Sequence, residues 1–245
     1  MDQAGANDGA LVGDAAYGPG KVGQGFVLDG AGDMVVLSNS VSLQLQTNFT
    51  IETWAKRAST SAVSYGAFGN GLLFGFGWGG YCFYLQPNGR VTLGKVGSEL
   101  VDSAAFITDT NFHHVAVTKS GSTVIFYVDG TNYTAPAFDP SFSFTTPVAI
   151  GGRADNQDNG FLGTIDGIAV YSRALAAAEI IAIFNAGSAA KCPSPFITAH
   201  PRSQLGFWGK SVSFDVKARG EPALSYQWWG NGAPTSGCTD KTLAL

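Results

Sequence analysis

An aspartate inside an apolar strand is the residue whose position most demands a chemical explanation. Asp166 stands within Thr164-Ile165-Asp166-Gly167-Ile168-Ala169-Val170-Tyr171, where an unpaired carboxylate would cost several kcal/mol. Two arrangements relieve that cost: a hard cation such as Ca²⁺, which takes carboxylate and backbone oxygens, or hydrogen bonds from the backbone amides of a neighbouring loop. A second set of residues suits sugars. Glu52 and Trp54 share the strand face opposite Ile51, while Trp78, Tyr81 and Tyr84 lie in or beside a glycine-rich turn. Aromatic faces match the C–H surfaces of pyranose rings, and flanking carboxylates or amides bond the hydroxyls. Arg153, Asp155, Asn156 and Asp158 form a polar loop that could rim such a site. For each aromatic the plainer alternative is packing beneath loops.

Other patterns carry less. His113 and His114 are neighbours, and adjacent strand residues point to opposite faces, so both read as structural. Gly75-Phe76-Gly77-Trp78-Gly79-Gly80 matches a dinucleotide fingerprint in letters, but no helix follows it. Gly18-Pro19-Gly20-Lys21 lacks the Ser or Thr that a phosphate loop places after its lysine. Neither a nucleophile elbow nor an H-E-x-x-H zinc motif occurs.

The elements that must position these residues are short strands. Within Asn111 to Gly130, His114 to Thr118 and Val124 to Val128 alternate apolar and other residues around Lys119-Ser120-Gly121-Ser122, which predicts a β-hairpin with one buried face. Asp129-Gly130 supplies the next tight turn. Strands are also predicted over 25–28, 34–37, 49–56, 148–151 and 164–171. Residues 71–95 hold LLFGFG, YCFYLQ and RVTLGK, a meander separated by Trp78-Gly79-Gly80 and Pro87-Asn88-Gly89. Residues 2–19 read as irregular. One helix of about two turns follows Leu175, built on Glu179, Ile180, Ile181 and Phe184 and closed by Gly187. Many short strands at near-regular spacing indicate an all-β, antiparallel two-sheet sandwich.

The hairpin, with GKVGQGFVLDGAGD (20–33), FTIETW (49–54), FLGTIDGIAVYSRAL (161–175) and AAAEIIAIFNAG (176–187), resembles the laminin-G-like jelly-roll family of the concanavalin A-like lectin/glucanase superfamily. The resemblance covers roughly residues 5–188 and is far more specific for fold than for function. It implies a structural calcium on the convex side held by Asp166, with Asp29 adding an oxygen, and a sugar site on the concave side, where Glu52 and Trp54 would lie. The family usually has Trp-His-His where this chain has Phe112-His113-His114. Its helix usually starts with a Ser that pairs with Glu179; here Ala176 stands instead, which predicts a start weaker by ~1 kcal/mol. Jelly-roll glucanases carry a Glu-x-Asp-x-Glu strand because retaining hydrolysis needs two carboxyls about 5 Å apart. No such triplet occurs here. The reading is therefore a non-catalytic module binding a glycan or polysaccharide. The alternatives are a structural or adhesive protein–protein module, and a hydrolase pairing Glu52 with Glu99 or Asp102.

Across its 245 residues the chain is 45% hydrophobic and 13% charged, with a net charge of −4. That balance argues against nucleic acid, which favours a clustered basic face, and no apolar run is long enough for a membrane span. MDQAGANDGALVGD has neither the basic nor the apolar region of a signal peptide. By resemblance the chain starts after the family's first strand, as an excised piece of a secreted or surface multidomain bacterial protein would. Cys82, Cys192 and Cys238 have no metal-like spacing and cannot all pair. The jelly roll is predicted over 1–188 and a linker over 189–195. From 196 to 245 the chain resembles the start of a bacterial immunoglobulin-like domain, with GKSVSFDVKA as strand B, LSYQWWGNG as strand C and Trp228 as the core Trp. It stops before the last strands, so this segment is expected to be marginal alone.

Overall fold

The computed structural model describes residues 7–187, 196–207, 209–219 and 224–244. It divides into two compact units, Met1–Ala190 and Lys191–Leu245. The predicted linker, 189–195, and Cys192 within it lie outside the described residues.

The first unit is an all-β sandwich of two seven-stranded sheets. Its strands are β1 (Gly9–Val12), β2 (Ala16–Pro19), β3 (Gln24–Asp29), β4 (Met34–Leu37), β5 (Asn48–Arg57), β6 (Gly71–Phe76), β7 (Tyr81–Leu85), β8 (Arg90–Lys95), β9 (Leu100–Phe106), β10 (Phe112–Ser120), β11 (Thr123–Val128), β12 (Thr131–Thr134), β13 (Val148–Ile150) and β14 (Leu162–Tyr171), followed by helix α1 (Ala177–Ala186). The first sheet runs β1-β4-β13-β6-β7-β8-β9 and the second β12-β11-β10-β5-β14-β3-β2. The predicted hairpin is β10–β11, in register from Val115 opposite Val128 to Ser120 opposite Thr123. The predicted meander is β6–β7–β8.

Period-two alternation decides which side chains meet between the sheets. Phe49, Ile51 and Ala55 of β5, Val115 and Val117 of β10, and Val124 and Phe126 of β11 face Phe83, Leu85, Val91 and Leu93 of the first sheet. Each of these except Ala55 contributes roughly 1.5–3 kcal/mol by leaving water. Residues 9–19 are a correction: they form β1 and β2 rather than irregular chain. Both are edge strands of four residues containing Gly or Pro, so they lack the alternation that betrays a half-buried strand. β9 and β12, also edges, were not predicted either: β12 is four residues of mostly exposed polar chain, and β9 alternates only through the small or polar residues of Leu100–Phe106.

Helix α1 lies on the outer side of the second sheet, where Ile180 and Leu175 pack on Ala116 and Tyr127. Its first residue is preceded by Ala176, which offers no side-chain oxygen. Glu179 nevertheless accepts the Ala176 amide at 2.9 Å, and its two oxygens take the Arg173 guanidinium at 2.7 and 2.8 Å. The lost Ser partner is thus replaced in part by an arginine upstream. These contacts hold the exposed Glu179 carboxyl down to about 2, the Arg173 bond being the largest cause.

In the second unit the described strands are short and paired two by two: Phe196–Ala199 with Lys217–Arg219, Ser213–Asp215 with Thr242–Ala244, and Trp229–Gly230 with Ala233–Pro234. The expected strand B is interrupted at Val216, and of the expected strand C only Trp229–Gly230 is extended. Trp228 is half-buried and donates from Nε1 to the Asp240 carbonyl at 2.8 Å. Among the described residues of this unit no side chain is fully buried.

Candidate functional site

The outer face of the first sheet carries a pocket of about 280 Å³. Strands β6, β7 and β8 place Leu72, Cys82 and Tyr84, and the bare backbone of Gly94, on that face. The turn after β6 raises Trp78 at the rim, and the turn after β8 brings Lys95 and Glu99 to the other side. Phe68, Asn70, Arg153 and Asn159 also line it. Tyr84 is 9% exposed and forms the floor, while Trp78 is 65% exposed.

Several contacts fix Trp78. Its amide donates to Asp155 Oδ2 at 2.8 Å, and the same carboxylate takes Arg153 side-on, Nε to Oδ1 at 3.1 Å and Nη2 to Oδ2 at 2.7 Å. Burial raises the Asp155 pKa, but the Arg153 guanidinium and the Trp78 amide outweigh it, so the group sits below its ordinary value and stays ionised. The neighbouring turns are laced by backbone bonds, Gly79 to the Val96 carbonyl at 3.0 Å and Val96 to the Gly80 carbonyl at 2.9 Å. Gly97, at φ +89°, lies under the indole: a Cβ there would meet the ring at 2.6 Å. Any side chain at 97 would therefore displace the Trp78 ring.

The floor is chemically quiet. Burial pushes the Cys82 thiol up to about 12, although Arg153 pulls the other way, so it is no thiolate nucleophile at neutral pH. Burial, together with Cys82 and Asp102, raises Tyr84 as well, which keeps its hydroxyl neutral. What remains is an aromatic rim over a floor of Leu72, Cys82 and Tyr84 whose thiol and hydroxyl stay neutral.

Of the residues the sequence suggested for sugar binding, Trp78, Tyr84 and Arg153 come together here, with Asp155 behind them as a positioning group. Asn156 is exposed in the 153–158 turn, where its Oδ1 accepts the Asp158 amide at 3.1 Å, and it does not line the pocket. Asp158 anchors the loop that carries Phe68, accepting the Ala67 amide at 3.1 Å.

Three of the suggested residues are corrections. Tyr81 is fully buried between the sheets, stacked on Phe49 at 5.1 Å and donating to the Leu43 carbonyl at 2.7 Å. It sits one residue out of phase with Cys82 and so faces inward. Glu52 and Trp54 do share an outer face, as expected, but of the second sheet, beneath α1. Glu52 is fully buried, with Oε2 3.1 Å from Nε2 of the equally buried His114. Trp54 is 3% exposed, its ring 5.9 Å from Phe184, with Lys21 Nζ 4.7 Å above it. Glu52 thus lies on the outer side of one sheet, whereas Glu99 and Asp102 lie on the outer side of the other. Two sheets spaced about 10 Å apart separate them, which rules out these carboxylates as a hydrolytic pair. His113 and His114 are structural as read: His113 bridges Asp129 at 2.6 Å and Asp109 at 3.0 Å.

The proposed calcium ligands do not converge. Asp29 pairs with Leu162, four residues before Asp166 on β14, a separation of ~13 Å along a strand. Asp29 accepts the Ala31 amide at 2.8 Å in its own turn. Asp166, 6% exposed, accepts the Val22 amide at 2.7 Å. The amide bond occupies Oδ2 of Asp166, and no group of three His, Cys, Asp or Glu is gathered for a metal among the described residues. Asp29 and Asp166 therefore do not share one ion, and the Val22 amide contact matches the loop-amide alternative, a clamp that ties the 20–25 turn to β14.

Phe68, Asn70, Lys95, Glu99 and Asn159 were not singled out as binding residues from the sequence. Phe68 and Asn159 reach the pocket from loops distant in sequence, and no local pattern marks them. Lys95 and Glu99 are spaced as the ends of a tight turn, Lys95 donating to the Glu99 carbonyl at 2.7 Å; that spacing beside the Trp78 turn was the available signal.

Comparison with known proteins returns one family and a consistent set of folds. The family model described as concanavalin A-like lectin/glucanases superfamily matches residues 29–181. No curated protein matches the sequence. Domain 4 of an extracellular GH43 arabinanase from Geobacillus stearothermophilus, solved with arabinotriose, is similar at TM-score 0.56 and 22% identity over 70% of this chain and 81% of that one. The CBM40 of the Ruminococcus gnavus IT-sialidase is similar at TM-score 0.52 and 16% identity, over 65% and 96%. Botulinum neurotoxin type C, whose cell entry depends on two ganglioside molecules, is similar at TM-score 0.56 and 12% identity, over 74% of this chain and 46% of the toxin chain. At these identities the likeness shows the fold. Among the described residues no helix is long and apolar enough to cross a membrane.

Proposed function

The chain belongs to the concanavalin A-like lectin/glucanase superfamily, and on that premise we propose that its jelly roll is a non-catalytic carbohydrate-binding module. The observation that carries this reading is the pocket of the first sheet: an exposed Trp78, seated on Gly97 and held through Asp155, above the neutral hydroxyl of Tyr84. A rigid indole at the rim suits stacking on a sugar ring, and the floor suits its hydroxyls. Similar folds that meet carbohydrate in an arabinanase and a sialidase support the same reading. The parent protein is read as secreted or on the cell surface, with the second unit as an immunoglobulin-like continuation.

A second reading rests on one observation. Phe68, Trp78 and Leu100 are exposed apolar side chains around the same pocket, and such a patch also suits a protein partner. A broad glycan array, followed by tryptophan-fluorescence titration of any hit, separates the two. Saturable binding lost in Trp78→Ala supports the carbohydrate reading. Silence across the array removes it and leaves the protein-binding one.

A further inference from the structure

Lys95, Arg153 and Glu99 line the pocket, and Asp155 behind Arg153 brings the local charge to zero, a balance that bears on which sugars it takes. Arginine recognises a carboxylate best through a side-on fork of two parallel N–H donors. In Arg153 that fork is occupied: Nε and Nη2 are both spent on Asp155. The pair is largely shielded, the side chains being 11% and 17% exposed, and Asp155 is further fixed by the Trp78 amide. An acidic sugar would have to displace an internal carboxylate that is already well placed. Lys95 and Glu99 are the ends of one turn, closed by the Lys95 amide on the Glu99 carbonyl and the Ser98 amide on the Lys95 carbonyl. Their opposite charges enter the same rim, so no net positive field remains to draw an anion in.

The other polar groups at hand are neutral. Tyr84 offers a hydroxyl, and Asn159 has a buried Oδ1 with no hydrogen-bond partner among the described residues. The Asn159 Oδ1 can only accept, so it suits a sugar hydroxyl and repels a carboxylate. The volume of about 280 Å³ lies at the small end for ligand pockets, enough for a single ring with its neighbours resting on Trp78 and Phe68.

We infer that this site selects neutral glycans and discriminates against sialic acids and uronic acids, because its arginine fork is closed by an internal carboxylate and its lysine is offset by a glutamate. The inference rests on the carbohydrate reading of the same pocket. Its test uses matched pairs that differ only in acidity: lactose against 3′-sialyllactose, and galactotriose against trigalacturonate. Affinities of the whole chain are measured by fluorescence titration and calorimetry at two salt concentrations. The wild type is expected to prefer the neutral member of each pair by about tenfold, with little dependence on salt. Asp155→Asn, which retains one acceptor for the Trp78 amide but frees the fork, is expected to raise the acidic-to-neutral affinity ratio about tenfold and to make acidic binding salt-sensitive. Equal affinity within each pair, or preference for the acidic member, overturns the selectivity while leaving carbohydrate binding intact. Binding of no member at millimolar concentration removes carbohydrate binding itself, and the selectivity with it. The wild-type ratios decide the matter even if the variant folds poorly, which circular dichroism would reveal.

Discussion

The two outer faces of the sandwich present the same kinds of residue and differ in what lies over them. On the second sheet, Glu52, Trp54 and His114 form an aromatic and ionisable cluster that α1 and Lys21 close off from water. On the first, Trp78, Tyr84, Arg153 and Glu99 form a comparable cluster that stays open as a pocket. A tryptophan beside a carboxylate on a strand is therefore no signature of a binding site by itself. Whether it stays open or is packed over is settled by a helix more than a hundred residues further along.

Disturbing the cover should have the largest effect. Ile180 is fully buried between α1 and Tyr127, so Ile180→Ala should cost ~2–5 kcal/mol in urea unfolding while leaving glycan affinity at the open pocket unchanged. A parallel loss of affinity would show that the two faces are coupled and weaken the contrast between them. The reverse variant is Trp78→Ala. Because the indole is mostly exposed, its loss should change stability by less than ~0.5 kcal/mol but lower sugar affinity by about tenfold or more. Comparable losses of stability and binding would instead make Trp78 a packing residue like Trp54.

A third effect tests a histidine held by carboxylates on an inner strand of the covered sheet. His113 is raised to about 9, chiefly by its bond to Asp129 against the opposing cost of burial, with Asp109 adding to it. The folded value lies above the ordinary 6.5, so its contribution is fully present below pH 6.5 and is lost as pH rises through about 9. Discounted for solvent screening, that is a fall on the order of 1 kcal/mol, read from unfolding at several pH values. His113→Gln should flatten the profile, and an unchanged slope would refute the assignment. The smallest expected effect is that of calcium. Excess Ca²⁺ or EDTA should leave Tm unchanged, whereas Asp166→Ala lowers it equally in both by releasing the 20–25 turn. A calcium-dependent rise that Asp166→Ala abolishes would place a metal site at Asp166.

How much of this was legible in the sequence follows from how local each signal is. The β10–β11 hairpin and the β6–β8 meander were legible because alternation and glycine turns are encoded within a few residues. Trp78, Tyr84 and Arg153 were found as residue types. Their assembly into one pocket was not, because Arg153 and Phe68 arrive from loops that no short-range pattern ties to β7. Glu52 and Trp54 were placed on an outer face correctly, but alternation cannot say which outer face a helix will roof. Tyr81 was misplaced by proximity, since it adjoins the turn yet alternates inward. Asp29 and Asp166 share a likeness to family motifs, but the β3–β14 register alone shows that they stand apart.

The lacing of the turns around Trp78 has a consequence for how such a module can change over generations. Gly79, Gly80 and Val96 are joined through main-chain atoms only, and Ser143 adds its own amide to the Gly79 carbonyl at 2.9 Å. None of these bonds depends on which side chain occupies position 78. The rim residue can therefore be exchanged while the strands keep their pairing, so a lineage could alter what it recognises without first having to rescue its fold. A library randomised at Trp78, Phe68 and Lys95 offers the same freedom to a protein engineer, with Gly97 left in place as the seat on which a new side chain must lie.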